Sequence, residues 1–276
     1  MKAKKTPAIL ALGADIKSRY GVFKNNKIIL SKEFGNLENP DNYEDFRNSV
    51  LRLNTGFDVV AFDSHPGYFS SRLSNSIKAR KRISVQHHHA HIAAALAYNN
   101  IAQPVIGVAF DGPGYGPDGN IWGGEFMVVD AGKFKRIAHF KYLGMPGGEL
   151  AVREPWRMAF SLIFSCLGRA GLKTNLDFLR FCRQQEQKIL VKMLEKNINC
   201  PLTSSAGRLF YAVSSVLGIC HKISYEAEAA MRLEEVASKS SESDYYKFDI
   251  RDEEDIWIMN QKELVKGLLR DMKIRL

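Results

Sequence analysis

Four histidines lie within a single five-residue segment, His87-His88-His89-Ala90-His91. The residues that follow, 92–97, are apolar and strongly helix-forming, which predicts a helix that begins near Gln86. On that helix His87 and His91 are four residues apart and share one face, where two imidazoles can bind one metal ion. The alternative is a solvated histidine run at a helix start, and for this run alone both interpretations stay open.

A carboxylate and several glycines follow an apolar strand that we predict over residues 104–110. The strand ends at Asp111, and Gly112 and Gly114 lie in the turn that comes next. An acid at a strand end before a glycine-rich turn can bring a carboxylate and backbone N–H groups to a phosphate or a metal. The same Asp-Gly-Pro-Gly sequence is also common in ordinary turns. Together, the turn and the histidine run are a more specific signal than either alone.

The composition is that of a globular protein with a basic balance. Its 276 residues are 45% hydrophobic and 25% charged, and 39 Lys and Arg against 30 Asp and Glu give a formal charge of +9. This charge is compatible with an anionic nucleotide, an acidic partner or RNA. No basic stripe carries interleaved aromatic residues, which argues against a nucleic-acid partner.

The cysteines favour a reducing compartment. Four of them are scattered between positions 166 and 220 without a Cys-x-x-Cys pair. This pattern excludes a zinc ribbon or finger and predicts reduced thiols rather than a disulfide framework. No apolar segment approaches the length of a membrane span, and the N-terminus lacks a signal-peptide core. We therefore expect a cytoplasmic protein with no membrane partner.

Two polar turns precede the histidine run. The first strand hairpin carries Asp15 and Lys17 in its turn, and a buried strand predicted over residues 57–63 ends at Asp63. Ligands of open α/β sheets lie outside such strand ends. Asp63 and the nearby His65 could therefore contribute to a site or serve only the turn.

The pattern changes from strands to helices after the Pro-Gly-Gly at residues 146–148. This change predicts a boundary between a first lobe, residues 1–148, and the helical part of a second lobe, residues 149–276. Near the C-terminus the sequence predicts a short strand over residues 245–250 and a final helix over residues 262–274.

Five longer motifs occur in order along the chain. They are Gln86-His87-His88-His89-Ala90-His91, Gly107-Val-Ala-Phe-Asp111-Gly-x-Gly-Tyr-Gly, Trp122-Gly-Gly-Glu125-Phe, Arg153-Glu-Pro-Trp-Arg157-Met-Ala and Thr203-Ser-Ser-x-Gly-Arg208-Leu-Phe. With Leu12-Gly-Ala-Asp15-Ile-Lys17, this series resembles the C-terminal carbamoyltransferase domain of the hydrogenase maturation factor HypF, over nearly the whole chain. The resemblance implies an α/β, two-lobed actin-like ATPase (ASKHA) fold related to the threonylcarbamoyl transferases.

The resemblance also implies a chemistry. Domains of this family move the carbamoyl group of carbamoyl-adenylate to a thiolate, the C-terminal cysteine of HypE, in [NiFe]-hydrogenase maturation. By resemblance, His87, His91 and Asp111 are the catalytic metal ligands, and the divalent metal, iron or zinc, acts as a Lewis acid. The residues expected to contact the ATP or AMP part of the adenylate are Asp15, Lys17, Gly112, Gly114, Arg153, Arg157, Arg208 and Glu226. For each of the three arginines, the alternative to a phosphate contact is a structural salt bridge on its helix.

The chain departs from the family pattern in several places. Tyr211 stands where the family has Asp after Gly-Arg-Leu-Phe, Ala227 replaces the Gly of Tyr-Glu-Gly, and Gly67 replaces the Asp of His-Pro-Asp-Tyr. The chain also stops at Leu276, where the family continues. We therefore expect an incomplete second lobe with an uncovered apolar sheet face, which a partner chain or a dimer could complete.

Three interpretations follow from these features. A carbamoyltransferase limited to the second half-reaction needs a HypE-like acceptor and a separate YrdC-like and acylphosphatase-like protein to supply carbamoyl-adenylate. The departures at Tyr211 and Ala227 instead suit a non-catalytic remnant or a scaffold subunit. The third interpretation is carbamoyl transfer to another acceptor, a small-molecule hydroxyl or tRNA. We favour the first, because the histidine run and Arg153-Glu-Pro-Trp resemble the hydrogenase branch most closely.

Overall fold

The protein consists of two compact units, residues 1–90 and 91–276, in a computed structural model that describes residues 6–53, 56–130 and 132–274. The predicted lobe boundary at residue 148 lies inside the second unit. One hydrophobic core there contains both Met145 and Ala151, on either side of the predicted boundary. The structure divides the chain at residue 90 and not at residue 148, because the helices after residue 148 pack on the sheet formed by the strands before it.

A five-stranded sheet forms the first unit. Its order is β3-β2-β1-β4-β5, with antiparallel pairing from β1 to β3 and parallel pairing from β1 through β4 to β5. The elements are β1 (Ile9–Leu12), β2 (Tyr20–Lys24), β3 (Lys27–Leu30), α1 (Pro40–Arg52), β4 (Phe57–Asp63), α2 (Phe69–Leu73) and β5 (Ala79–Val85).

The helix α1 covers one face of this sheet because its apolar residues recur at helical spacing. Phe46 and Val50 are buried and pack against Leu10 and Val60 of the strands. Asn39 begins the helix by accepting the N–H groups of the first turn. The parallel strands β4 and β5 therefore have fixed positions, and their carboxyl ends lie side by side at Asp63 and Val85.

The predicted histidine helix is confirmed as α3 (His87–Tyr98). Its start is capped by Gln86, whose side-chain oxygen accepts the N–H of His89. It ends where Asn100 adopts a left-handed conformation (φ 53°) and the N–H of Ile101 bonds the carbonyl of Leu96. The division between the two units falls inside this continuous helix.

A seven-stranded sheet with helices forms the second unit. The strand order is β11-β12-β8-β7-β10-β9, and β6 pairs antiparallel with β7. The elements are β6 (Val105–Tyr115), β7 (Ile121–Val129), β8 (Phe134–Phe140), β9 (Leu143–Gly144), α4 (Leu150–Arg153), α5 (Pro155–Gly171), α6 (Gln184–Lys196), β10 (Leu202–Thr203), α7 (Ala206–Val216), α8 (Glu228–Ala237), β11 (Asp249–Glu253), β12 (Ile256–Asn260) and α9 (Lys262–Asp271).

The helices α5 and α7 form the centre of the second unit. Phe160, Leu162 and Ile163 of α5 are fully buried in a core that also includes Ala212 of α7.

Within the described ranges, no helix is long and apolar enough to cross a membrane. The strand predicted over residues 245–250 is instead a hairpin, β11 and β12, because the positive φ angles of Glu254 and Asp255 allow a tight turn.

Part of the second sheet is open to solvent. Alternate residues of β6 point to one face, and Ile106, Val108 and Phe110 are 69%, 50% and 54% exposed there. Ala109, between them, points to the opposite face and packs against α3. This strand therefore carries an exposed apolar face. It precedes residue 148, so it is not the second-lobe face that the sequence predicts to be uncovered.

Candidate metal and phosphate site

Three side chains predicted as metal ligands lie together. One ligand atom each from His87, His91 and Asp111 falls in a group whose members are within 4.8 Å of one another. The Nε2 atom of His91 is 3.5 Å from Oδ2 of Asp111. Two imidazoles and a carboxylate are a donor set that suits zinc or iron. The group depends on the one-face spacing of His87 and His91 on α3 and on the position of Asp111, directly after the apolar part of β6 and within an irregularity of that strand.

The two histidines between them have other surroundings. His88 is fully buried, and its Nδ1 atom lies 3.2 Å from the side-chain nitrogen of Gln86. The N–H of His89 is used in capping the helix. Neither residue belongs to the group of ligand atoms. The run of histidines therefore divides into ligand candidates and residues that stabilise the helix start.

The predicted turn after Asp111 is wrong, because β6 continues to Tyr115 and has only an irregularity between Phe110 and Gly114. The start of α7 holds this irregular part of β6. The hydroxyl of Ser205 donates to the main-chain oxygen of Asp111 at 2.7 Å and also accepts the N–H of Arg208 as the helix cap. A side chain at Gly123 would meet the main-chain oxygen of Gly112 at 2.6 Å. The close approach of these segments explains why small residues are needed around the irregular part of β6.

Arg208 reaches the same irregular part of β6 from the first part of α7. Its guanidinium carbon lies 4.2 Å from the ring centre of Tyr211, and a side chain at Gly112 would contact its Nη2 atom. Burial lowers the pKa of Arg208, against the opposing charges of Asp111 and Glu226. The Nε atom is buried and has no hydrogen-bond partner among the described residues. A cation in this position is suited to bind an anion.

An open groove of about 550 Å³ runs along β6 beside α3. Its walls are largely apolar and come from residues such as Ile92, Leu96 and Val108, whereas His91 and Asp111 provide polar groups. A largely apolar space with a few convergent polar groups is the usual form of a small-molecule site.

The remaining predicted site residues have structural contacts of their own. The buried carboxylate of Asp15 accepts the N–H groups of Phe69 and Ser70 and thereby caps α2. Arg153 pairs with Glu149, and Arg157 pairs with Glu154. These ion pairs match the structural alternative considered for both arginines. Lys17 and Glu226 are exposed, and Gly114 is a strand residue of β6 opposite Trp122. Nucleotide contacts by these residues stay predictions.

Two departures from the family pattern touch each other. The hydroxyl of Tyr211 accepts the N–H of Ala227 at 3.0 Å. Ala227 has a left-handed conformation, with φ 64° and ψ 5°, immediately before α8. A glycine would adopt this conformation without strain. The tyrosine therefore holds the very turn in which alanine replaces glycine.

Sequence reasoning missed the role of Glu125. This carboxylate is fully buried and pairs with Nε of Arg136 at 2.6 Å. It also accepts the hydroxyl of Ser204 and the N–H groups of Gly123 and Gly124. Glu125 thus connects β7 with Ser204, in the segment that leads into α7, and the next residue, Ser205, bonds the main chain of Asp111. The sequence feature that could have indicated this role is the place of Glu125 in the Trp-Gly-Gly-Glu motif.

Two family models match consecutive parts of the chain. The model of the HypF Kae1-like domain matches residues 4–98, and that of the carbamoyltransferase Kae1-like domain, second subdomain, matches residues 107–275. The chain belongs to the HypF carbamoyltransferase family. The two HypF matches meet between residues 98 and 107, much closer to the division at residue 90 than to residue 148.

Curated relatives agree with this assignment. The chain is 38% identical over 247 residues to carbamoyltransferase HypF2 of Cupriavidus necator, which covers 87% of the chain and 30% of the relative. It is 37% identical to a carbamoyltransferase HypF homolog of the same organism, over 86% of the chain and 63% of the relative. For the probable carbamoyltransferase HypF of Methanocaldococcus jannaschii, the identity is 36%, over 93% of the chain and 34% of the relative. The chain thus spans less than two thirds of these relatives.

Solved HypF structures have the same fold. A crystal structure of full-length HypF in the phosphate- and nucleotide-bound form matches 99% of the chain, with a TM-score of 0.89 and 34% identity, over 36% of its own length. The structure of T. kodakarensis HypF matches 98% of the chain and 37% of its own length, with a TM-score of 0.82 and 30% identity. The predicted α/β fold of the actin-like ATPase (ASKHA) class is confirmed.

Proposed function

We propose that this HypF-family chain is a metal-dependent carbamoyltransferase domain. It takes the carbamoyl group from carbamoyl-adenylate and transfers it to a thiolate, the C-terminal cysteine of a HypE-like protein, in [NiFe]-hydrogenase maturation. The observation that carries this proposal is the group His87, His91 and Asp111, next to Gly112 and to Arg208, whose Nε atom is buried. The two histidines and Asp111 suit a divalent metal, and Gly112 with Arg208 suits a phosphate.

The reaction exchanges one bond for another. The thiolate forms a bond to the carbamoyl carbon, the bond from that carbon to the phosphate oxygen breaks, and AMP leaves with the electron pair. The phosphate of AMP gains negative charge in this step, so a cation beside it stabilises the transition state more than the ground state.

Several residues of this chain would have separate roles in this step. His87, His91 and Asp111 would hold iron or zinc, which supplies a Lewis acid for a carbamoyl or phosphate oxygen. Arg208 would bind the phosphate through its guanidinium, whose Nε atom is buried without a partner among the described residues. Gly112 would let the phosphate approach the backbone closely. Ser205 would keep the irregular part of β6 in place through its bond to the main-chain oxygen of Asp111.

The proposed partners follow from this half-reaction. A HypE-like protein accepts the carbamoyl group, and a separate protein with YrdC-like and acylphosphatase-like domains supplies carbamoyl-adenylate. We expect a partner chain or a second copy to cover the exposed apolar residues of β6, Ile106, Val108 and Phe110. A cytoplasmic location is supported by the four cysteines, all of which are free thiols.

The first experiment measures metal content and ADP affinity of the purified protein. We expect one metal ion per chain, which is lost in the double variant His87→Ala/His91→Ala and kept in the control His89→Ala, because His89 is outside the ligand group. Arg208→Met should keep the metal and lose ADP affinity by about tenfold or more, since hydrogen bonds to charged groups contribute roughly 1.5–3 kcal/mol. A folded protein that binds neither metal nor ADP would contradict the proposal.

A non-catalytic remnant is the second candidate, and one observation favours it. Tyr211 stands where the family pattern has an acid, and its hydroxyl is already bonded to the N–H of Ala227. If these residues close the nucleoside part of the site, the protein will bind the metal but not ADP. The same two measurements therefore separate the candidates.

A further inference from the structure

A carboxylate outside the ligand group contacts one of its histidines. The Oδ2 atom of Asp63 lies 2.6 Å from Nδ1 of His87. The Asp63 side chain is 7% exposed and that of His87 is 19% exposed, so water has little access to either partner. The sequence left open whether Asp63 served a site or a turn.

The rest of Asp63 is fixed by the fold. It is the last residue of β4, in register with Val85 of β5, the strand that leads to Gln86 and α3. Its Oδ1 atom accepts the N–H of His65 at 2.8 Å, and its main-chain oxygen accepts the hydroxyl of Ser71 at 2.8 Å. The carboxylate is therefore held by a strand and a turn, with one oxygen directed to His87.

This contact determines which nitrogen of His87 can bind a metal. A carboxylate oxygen accepts hydrogen bonds, so a hydrogen bond from His87 to Asp63 places the imidazole proton on Nδ1. The neutral imidazole then has its lone pair on Nε2, and a metal requires that lone pair. Partners of this kind around metal-binding histidines orient the ring and select its tautomer.

We propose that Asp63 is a positioning residue, which holds the His87 ring with its proton on Nδ1 and thereby leaves Nε2 for the metal. The inference rests on the metal site of the proposed function and adds a residue that does not touch the metal. It makes the end of β4 a part of the site although that strand provides no ligand.

The test compares two aspartates of the same strand. Zn²⁺ affinity of the full chain is measured by competition with a chromophoric chelator for wild type, Asp63→Ala, Asp63→Asn and the control Asp58→Ala. Asp58 is also in β4, but its carboxylate bonds the N–H of Ala8 and the side chain of Arg80. We expect Asp63→Ala to weaken Zn²⁺ binding about 10- to 100-fold. Asp63→Asn should lose less, because its amide oxygen still accepts from Nδ1, and Asp58→Ala should match wild type.

A second readout needs no metal. Two-bond ¹H–¹⁵N correlation spectra of the metal-free protein report which nitrogen of His87 carries the proton. We expect Nδ1–H in wild type and a mixture of tautomers in Asp63→Ala. A wild-type spectrum with the proton on Nε2, or Zn²⁺ affinity in Asp63→Ala equal to that of Asp58→Ala, would overturn the proposal. If wild type takes up no Zn²⁺, the metal function fails, and the spectra still decide the role of Asp63.

Discussion

At the scale of single residues, the buried pair of Glu125 and Arg136 fixes the segment before α7. The carboxylate is fully buried and the arginine side chain is 8% exposed. Glu125 accepts from Ser204, and the next residue, Ser205, bonds the main chain of Asp111. A charged pair therefore stabilises the path of the chain to the candidate site.

Glu125→Gln should destabilise the protein strongly. The change leaves the guanidinium of Arg136 buried beside a neutral amide, and breaking a buried pair in this way costs about 3–5 kcal/mol in the free energy of unfolding. Urea unfolding measures the loss. The control is Glu149→Gln, whose pair with Arg153 has side chains 68% and 79% exposed, and it should cost less than about 1 kcal/mol. Equal losses in the two variants would mean that the buried network contributes little.

Ala227→Gly should stabilise the protein. Alanine with φ 64° carries a steric cost of roughly 1–2 kcal/mol that glycine avoids, although glycine gives back part of the gain through the entropy of the unfolded chain. We expect a net increase of about 1 kcal/mol in the free energy of unfolding, measured in urea. The control Ala229→Gly lies inside α8, so it should change stability in the opposite direction. A decrease in both variants would contradict the left-handed conformation at Ala227.

At the scale of elements, the candidate site depends on how closely α3 packs on β6. Ile92 and Leu96 of the helix pack against Ala109 of the strand in one hydrophobic cluster. Gly107 lies beneath Ile92, and a Cβ atom there would meet the atoms of Ile92 at 2.5–2.9 Å. The absence of a side chain at Gly107 therefore sets the distance between the helix that carries His91 and the strand that leads to Asp111.

Gly107→Ala should move α3 away from β6. Overpacking of a core costs about 1–3 kcal/mol, and displacement of His91 from Asp111 should also weaken Zn²⁺ binding. Thermal unfolding and the chelator titration measure the two effects. Gly56→Ala is the matched control, because a Cβ atom at Gly56 would have no neighbour within 4 Å. If Gly107→Ala has the unfolding temperature and Zn²⁺ affinity of the control, the close packing does not control the site.

At the scale of the whole molecule, several buried groups resist ionisation. Burial raises the pKa of Cys166 and of Cys182 to about 11, and burial together with the hydrogen bond to Asp118 raises the pKa of Tyr142 to about 12. All three groups lie in the second unit. Each stays protonated in the folded protein over a pH range in which the unfolded chain has lost the proton.

Stability should therefore fall at alkaline pH. The contribution of each thiol is complete below its unfolded pKa of about 9.0 and is lost as the pH rises towards 11. For Cys166, which is 7% exposed, the loss is roughly 2–3 kcal/mol. Urea unfolding at pH 8 and pH 11 measures it. The double variant Cys166→Ala/Cys182→Ala should have a shallower decline, and an unchanged decline would contradict the role of the thiols.

The sequence by itself determined the features that depend on local periodicity. The helix after Gln86 follows from its apolar and helix-forming residues, and the spacing of His87 and His91 on one face follows from that helix. The start of β6 and the capped, amphipathic α1 are local features of the same kind, whereas the continuation of β6 beyond Asp111 to Tyr115 depends on its pairing with β7. Motif order along the chain was sufficient for the family and the fold class.

Tertiary structure alone decided which distant residues meet. Asp63 and His87 are separated by 24 positions, Glu125 and Ser204 by 79, and Asp111 and Ser205 by 94. These contacts arise from strand pairing and helix packing, which bring together segments whose local patterns are independent of one another. The division at residue 90 has the same origin, because a change from strands to helices in the sequence does not reveal that those helices pack on the preceding strands.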